Sequence, residues 1–165
     1  MSTLKVDTIT GKTTASNVKL PAGTVLQTVF ANASTSTTIN STSYIDSTLT
    51  ATITPKYSTS NILVLSSLTF DNASNDKIGA KLLRDSTTIK TEAWWAFSQA
   101  VASGGGVAYI MGRESHYYLD SPATQSATVY KWQVARLTGS SNNYINYDSG
   151  GDESDSQIIL MEIAQ

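Results

Sequence analysis

The chain of 165 residues contains no cysteine, which removes disulfides, thiolate metal sites and a cysteine nucleophile from consideration. Histidine occurs once, at His116, so no pair of imidazoles is at hand to ligate a catalytic metal. Charge is scarce too: 15% of residues are charged and they sum to -2, against roughly 25% charged in ordinary soluble domains. With no basic run to meet a phosphate backbone, no nucleic-acid partner is expected. No stretch approaches the ~18 apolar residues of a membrane-spanning helix, and the first twenty residues carry no apolar core of a secretory signal. No membrane partner is expected either, and a route out of the cell would run through lysis or assembly into a particle. Cofactor fingerprints are also missing, with neither a glycine-rich phosphate loop nor a Gly-x-Ser-x-Gly elbow. No cofactor is expected.

Serine and threonine are abundant, and they fill the gaps between apolar positions. One stretch stands apart from that background, Asn61 to Asp71, with four apolar residues in succession (Ile62 to Leu65) followed by Leu68 and Phe70 alternating with Ser67 and Thr69. Turn residues bound it on both sides, and it lacks the 3.6 period of a helix, which predicts an inner strand buried on both faces. Before it come Thr24 to Phe30, a short edge strand at Thr37 to Ile39, and Tyr44-Ile45 continuing into Leu49 to Ile53, where Thr50 and Thr52 alternate with apolar residues until Pro55. After it, Lys77 to Arg84 and Thr87 to Thr91 flank Asp85-Ser86 as a tight hairpin. Val107 to Leu119, Ala127 to Leu137 and Gln157 to Ile163 complete the set. The last is nearly as apolar as the central strand and is expected to pair with it or face it across the core.

Eight to ten strands and no amphipathic helix of ordinary length predict an all-β fold, a jelly-roll-like β-sandwich, with an immunoglobulin-like sandwich as the alternative. The sandwich is expected over residues 23–165. Residues 1–22 read as an extended arm, because Leu4, Val6, Ile9, Val18 and Leu20 are too sparse to build a core of their own and Pro21-Ala22-Gly23 interrupts the pattern.

Chemistry is thin. Ser115 precedes His116 directly, and neighbours on a strand point to opposite faces, so the two do not form a nucleophile and its base. Glu92, Glu114 and Asp120 are the carboxylates nearest to aromatic residues and the candidates for a glycoside-cleaving pair, whose geometry is set in space rather than in sequence. The acidic loop Asp148 to Asp155 offers hard oxygen ligands of the kind calcium takes, without EF-hand spacing, and reads as a solvated hairpin tip. Trp94-Trp95 and Tyr117-Tyr118 are adjacent aromatics on strands, so one of each pair should point away from the core, toward another subunit or a ligand such as a sugar ring. Trp132 sits inside a regular alternation and reads as core or interface.

Ser2 to Gln27, with Ser60-Asn-Ile-Leu-Val-Leu, Lys81-Leu-Leu-Arg-Asp and Ile159-Leu-Met-Glu-Ile-Ala further on, resembles virion structural proteins of tailed bacteriophages, particularly fibre-like proteins of phages from marine and cyanobacterial hosts. The resemblance implies a homotrimeric, jelly-roll-like module without catalytic residues. It would be assembled in the host cytoplasm and carried on the virion exterior as a fibre, knob or capsid-decoration component, with its arm docked on capsid or tail proteins. A carbohydrate-binding tip that attaches to a host surface glycan through Trp94, Trp95, Tyr117 and Tyr118 is the alternative. Independently of the resemblance, so many strands leave sheet edges and surplus aromatics that symmetric assembly would cover.

Overall fold

A computed structural model describes residues 20–73, 76–95, 109–147 and 154–165, with residues 93–95 and 109–110 described by backbone alone. The described chain forms ten strands: β1 (Val25–Ala33), β2 (Thr37–Ile39), β3 (Ile45–Ile53), β4 (Asn61–Ala73), β5 (Lys77–Arg84), β6 (Thr87–Trp95), β7 (Tyr109–Asp120), β8 (Thr128–Thr138), β9 (Asn143–Ile145) and β10 (Ser156–Ile163). All pairings are antiparallel. They build a six-stranded sheet, in which β1, β10, β4, β9 and β2 follow one another and β7 also pairs with β4, and a four-stranded sheet ordered β3-β8-β5-β6.

The topology follows from β4. Its residues Ile62 to Ser67 pair with β10 on one side and with β7 on the other, so the sheet runs β1-β10-β4-β7 across its width. Beyond Ser67, where β10 stops, β9 takes its place against Phe70 and Asp71, and β2 continues the edge that β1 began. With the short strands β2 and β9 set aside, the remaining eight rank in chain order as 1-8-3-6 in one sheet and 2-7-4-5 in the other. That order is a jelly roll, two Greek keys folded into a sandwich.

The alternation in sequence explains the packing. In β3 the buried positions are Ser47, Leu49, Ala51 and Ile53, with threonines between them facing out. The inner faces meet in one core, to which the six-stranded sheet contributes Ile62, Val64, Leu68, Ile158 and Leu160 and the four-stranded sheet Leu49, Leu82, Tyr130, Trp132 and Val134. Trp132 is fully buried and donates its indole N–H to Ser66 Oγ at 3.0 Å, which satisfies the one polar atom its ring carries across the sandwich. The hairpin at Asp85-Ser86 forms as expected, with Arg84 opposite Thr87, and Asp85 Oδ1 further accepts the Val129 N–H at 2.9 Å.

Two expectations need correction. β4 is buried on both faces only over its second half, Leu68 to Ala73; over its first half Leu63 and Leu65 are half-exposed. β9 was not foreseen. It is held by its side chain as much as by its ladder: Asn143 Oδ1 accepts the Ala73 N–H at 2.7 Å, and Asn143 Nδ2 donates to Asp76 Oδ2 at 3.0 Å, an oxygen that also accepts the Ser141 N–H at 3.2 Å.

Candidate functional site

The outward-facing residues of the six-stranded sheet can be placed by register, because residues paired across an antiparallel ladder share a face. One row runs Phe30, Ile159, Leu65, Tyr117 from β1 to β7. The next runs Thr28, Met161, Leu63, Leu119. Seven of these eight side chains are apolar or aromatic. Tyr117 is 74% exposed, Phe30 58% and Leu119 54%, while those on the two middle strands are half-buried by their neighbours. Below these rows Val25 lies opposite Ile163 and Ile163 opposite Asn61; above them Asn32, Gln157, Ser67 and Ser115 form a polar row. An apolar centre bordered on one side by an uncharged polar row has the composition found at the core and rim of protein–protein contacts.

None of these residues is charged. Charges stand at the border: Arg113 with Asp155 at 3.2 Å beyond the polar row, Lys90 of β6, whose ammonium donates to the Tyr117 carbonyl at 3.4 Å, and Lys56, whose ammonium donates to the Leu26 carbonyl of β1 at 2.9 Å. A shallow groove of about 230 Å³ crosses the face between Leu65, Ser67, Ser115, Tyr117, Gln157 and Ile159.

Beneath this face lie the titratable groups. His116 faces inward, its ring centroid 4.8 Å from that of Trp132 and its Nδ1 3.9 Å from Glu92 Oε1. Burial pushes its pKa down, opposed by the Glu92 carboxylate. Register places Ser66, not Ser115, opposite His116, but Ser66 already accepts the Trp132 indole N–H inside the sandwich. Asp120 accepts from Arg84 at 2.9 Å and from the Tyr130 hydroxyl at 2.6 Å, and burial together with Asp120 raises the Tyr130 pKa. Glu92 is held by Lys90 at 2.8 Å. The three candidate carboxylates are thus spread over different surroundings: Asp120 buried in an ion pair, Glu92 beside His116, and Glu114 half-buried on β7.

Of the other candidate residues, Tyr117 points out and Tyr118 packs against the core, the split that adjacency on a strand requires. Trp94 and Trp95 lie in β6, with side chains outside the described residues; Leu4, Val6, Ile9 and Val18 also lie outside them. Leu20 is 47% exposed and borders a hollow of about 260 Å³ with Tyr57, Ser58, Thr59, Gln125, Ala164 and Gln165. Residues 148–153 of the acidic loop lie outside the described residues; Asp155 is engaged by Arg113 and by Gln157 at 2.9 Å. Among the described residues no group of three His, Asp or Glu side chains is placed to hold a metal ion. The apolar face itself was not singled out in the sequence, although its signal was there in the unbroken apolar runs Ile62 to Leu65 and Ile158 to Met161.

No protein-family model matches the chain, and no curated protein does. Among solved structures, the chain is similar to one described as the structure of infectious bursal disease virus, Gx strain, at 14% identity and a TM-score of 0.41, over 84% of this chain and 38% of that one. The chain therefore spans well under half the length of that neighbour.

Proposed function

We propose that this chain is a non-enzymatic structural protein of a tailed-phage particle, an exterior fibre, knob or capsid-decoration component that trimerises through its jelly roll and docks through residues 1–22. The observation that carries this reading is the uncharged apolar face across β1, β10, β4 and β7, which the described residues leave in water. A jelly roll hosts many activities, so the fold supports a structural role only together with that face. The resemblance of Ser2 to Gln27 to phage virion proteins supplies the particle and the arm. The test has two parts. The full-length protein is expected to sediment as three chains. A variant carrying Leu4→Asp, Val6→Asp and Ile9→Asp is expected to keep that mass while losing retention on phage particles; equal retention would contradict docking by the arm.

One observation favours a second reading, a glycan-binding tip. Tyr117 stands exposed beside a groove bordered by Ser67, Ser115 and Gln157, and an aromatic ring flanked by hydroxyls and an amide suits a sugar. Binding of host-surface glycan that disappears in Tyr117→Ala would favour it over a purely structural role.

A further inference from the structure

We infer that the outer face of the six-stranded sheet is turned toward a threefold axis and buried by two further copies of this chain, an inference that rests on the homotrimeric reading above and names the surface responsible. The first argument is composition. A strand buried on both faces reads as a continuous apolar run, whereas one with a wet face alternates. Ile62 to Leu65 in β4 and Ile158 to Met161 in β10 are continuous, yet within one chain their outward residues Leu63, Leu65, Ile159 and Met161 stay half-exposed. These two neighbouring strands carry the sequence of buried strands on a face that the described residues do not cover.

The second argument is charge. The occupant must tolerate a patch without a single Lys, Arg, Asp or Glu in its central rows. A like surface meets that demand, since two neutral patches approach without the like-charge repulsion that penalises wrong partners. Area agrees. Four strands ~4.8 Å apart and four rows ~6.8 Å apart give a footprint of about 500 Å² before side-chain relief is added, comparable to the ~800 Å² of accessible surface that each partner buries in a standard interface.

The third argument selects three copies. Among the described residues, strands β1 and β7 are the two edges of this face, each without a strand on its outer side. Faces about 19 Å wide close a triangular prism whose walls stand ~5.5 Å from the axis, near half the ~10 Å at which stacked sheets interdigitate. In that arrangement β1 of one copy lies beside β7 of the next, so both edges are covered as well as the face; two copies stacked face to face would leave both edges open. An axis along the strands keeps each row at one height. Thr28 of one copy then adjoins Leu119 of its neighbour.

Native mass and cross-linking of the full-length chain test this. The wild type is expected at three times 17.6 kDa, and Phe30→Lys combined with Leu119→Lys is expected to give a folded single chain, dissociating at a concentration at least 100-fold higher than the wild type does. Because the chain has no cysteine, Thr28→Cys with Leu119→Cys places two thiols alone, and oxidation is expected to yield covalently closed trimers. A wild type of one or two chains overturns both this inference and the homotrimeric reading. A wild-type trimer that survives the lysine pair, or that fails to cross-link through the cysteines, leaves that reading standing and overturns this face as its seat.

Discussion

The two sheets of this sandwich present opposite surfaces to their surroundings. On the four-stranded sheet the outward residues of the central rows are Asp46, Gln133, Lys81 and Thr91, then Thr50, Lys131, Leu83 and Thr88, with Leu83 the one apolar member and itself buried, and the polar ones are tied together by Lys131 to Asp46 at 2.9 Å, Gln133 to Asp46 at 2.8 Å and Lys81 over the Tyr44 ring at 3.9 Å. On the six-stranded sheet the same positions hold Phe30, Ile159, Leu65 and Tyr117. The inner faces of both are alike, apolar and closely packed. What differs is the composition of the outer faces: largely polar and charged for one, apolar and aromatic for the other. A sheet face left in water is ordinarily polar, and this asymmetry is what the proposed interface rests on.

Substitutions on the two faces and in the core between them should separate in size. Trp132→Ala should be the largest, about 3–5 kcal/mol from lost burial and a cavity, since it removes the fully buried ring shared by both sheets and orphans the Ser66 contact; urea denaturation measures it. Next, Phe30→Lys on the apolar face should cost the single chain little but raise the concentration at which the oligomer dissociates by 10-fold or more, a scale on which each ~1.4 kcal/mol is one decade. Analytical ultracentrifugation across a dilution series reads it.

A smaller effect concerns pH. Burial holds His116 below its ordinary value of 6.5, against the opposing Glu92 and with a minor contribution from Lys90. The unfolded chain therefore takes up a proton that the folded chain resists, so stability should decline as pH falls through 6.5 and level off below the folded pKa. His116→Gln should lessen that decline between pH 7.5 and 5.5. Smallest of all, Lys131→Ala on the hydrophilic face should cost about 0.2–1 kcal/mol, the range for exposed ion pairs, and leave the native mass unchanged. A reversed order, with Lys131→Ala altering assembly and Phe30→Lys not, would break the contrast between the faces.

Much of the sandwich was legible in the chain because its strands obey local rules. Leu49, Ala51 and Ile53 alternate with threonines, and Asp85-Ser86 closes its hairpin where a polar pair sits between two apolar stretches. The pairing of β10 with β4 was open in the sequence, since two equally apolar strands can pair or face each other. β9 was not legible. Asn143, Tyr144 and Ile145 are too few to show a period, and what holds them is a side-chain network with Ala73 and Asp76, some seventy residues distant in sequence. The apolar face escaped notice for a related reason. Phe30, Leu65, Tyr117 and Ile159 come from four strands scattered along the chain, and register alone brings them into one row. The unbroken apolar run of β4 marked its outer side as apolar; it did not show which residues of the other strands would join it there.

Oxidative footprinting of the full-length wild type at a series of concentrations tests the burial of this face most directly. Tyr117 and Phe30, both largely exposed in the single chain, are expected to be oxidised several-fold more slowly in the concentrated protein than in protein diluted until the oligomer separates. Equal and fast oxidation of both rings at every concentration, with the oligomer intact, would show that the face stays in water and would contradict the account.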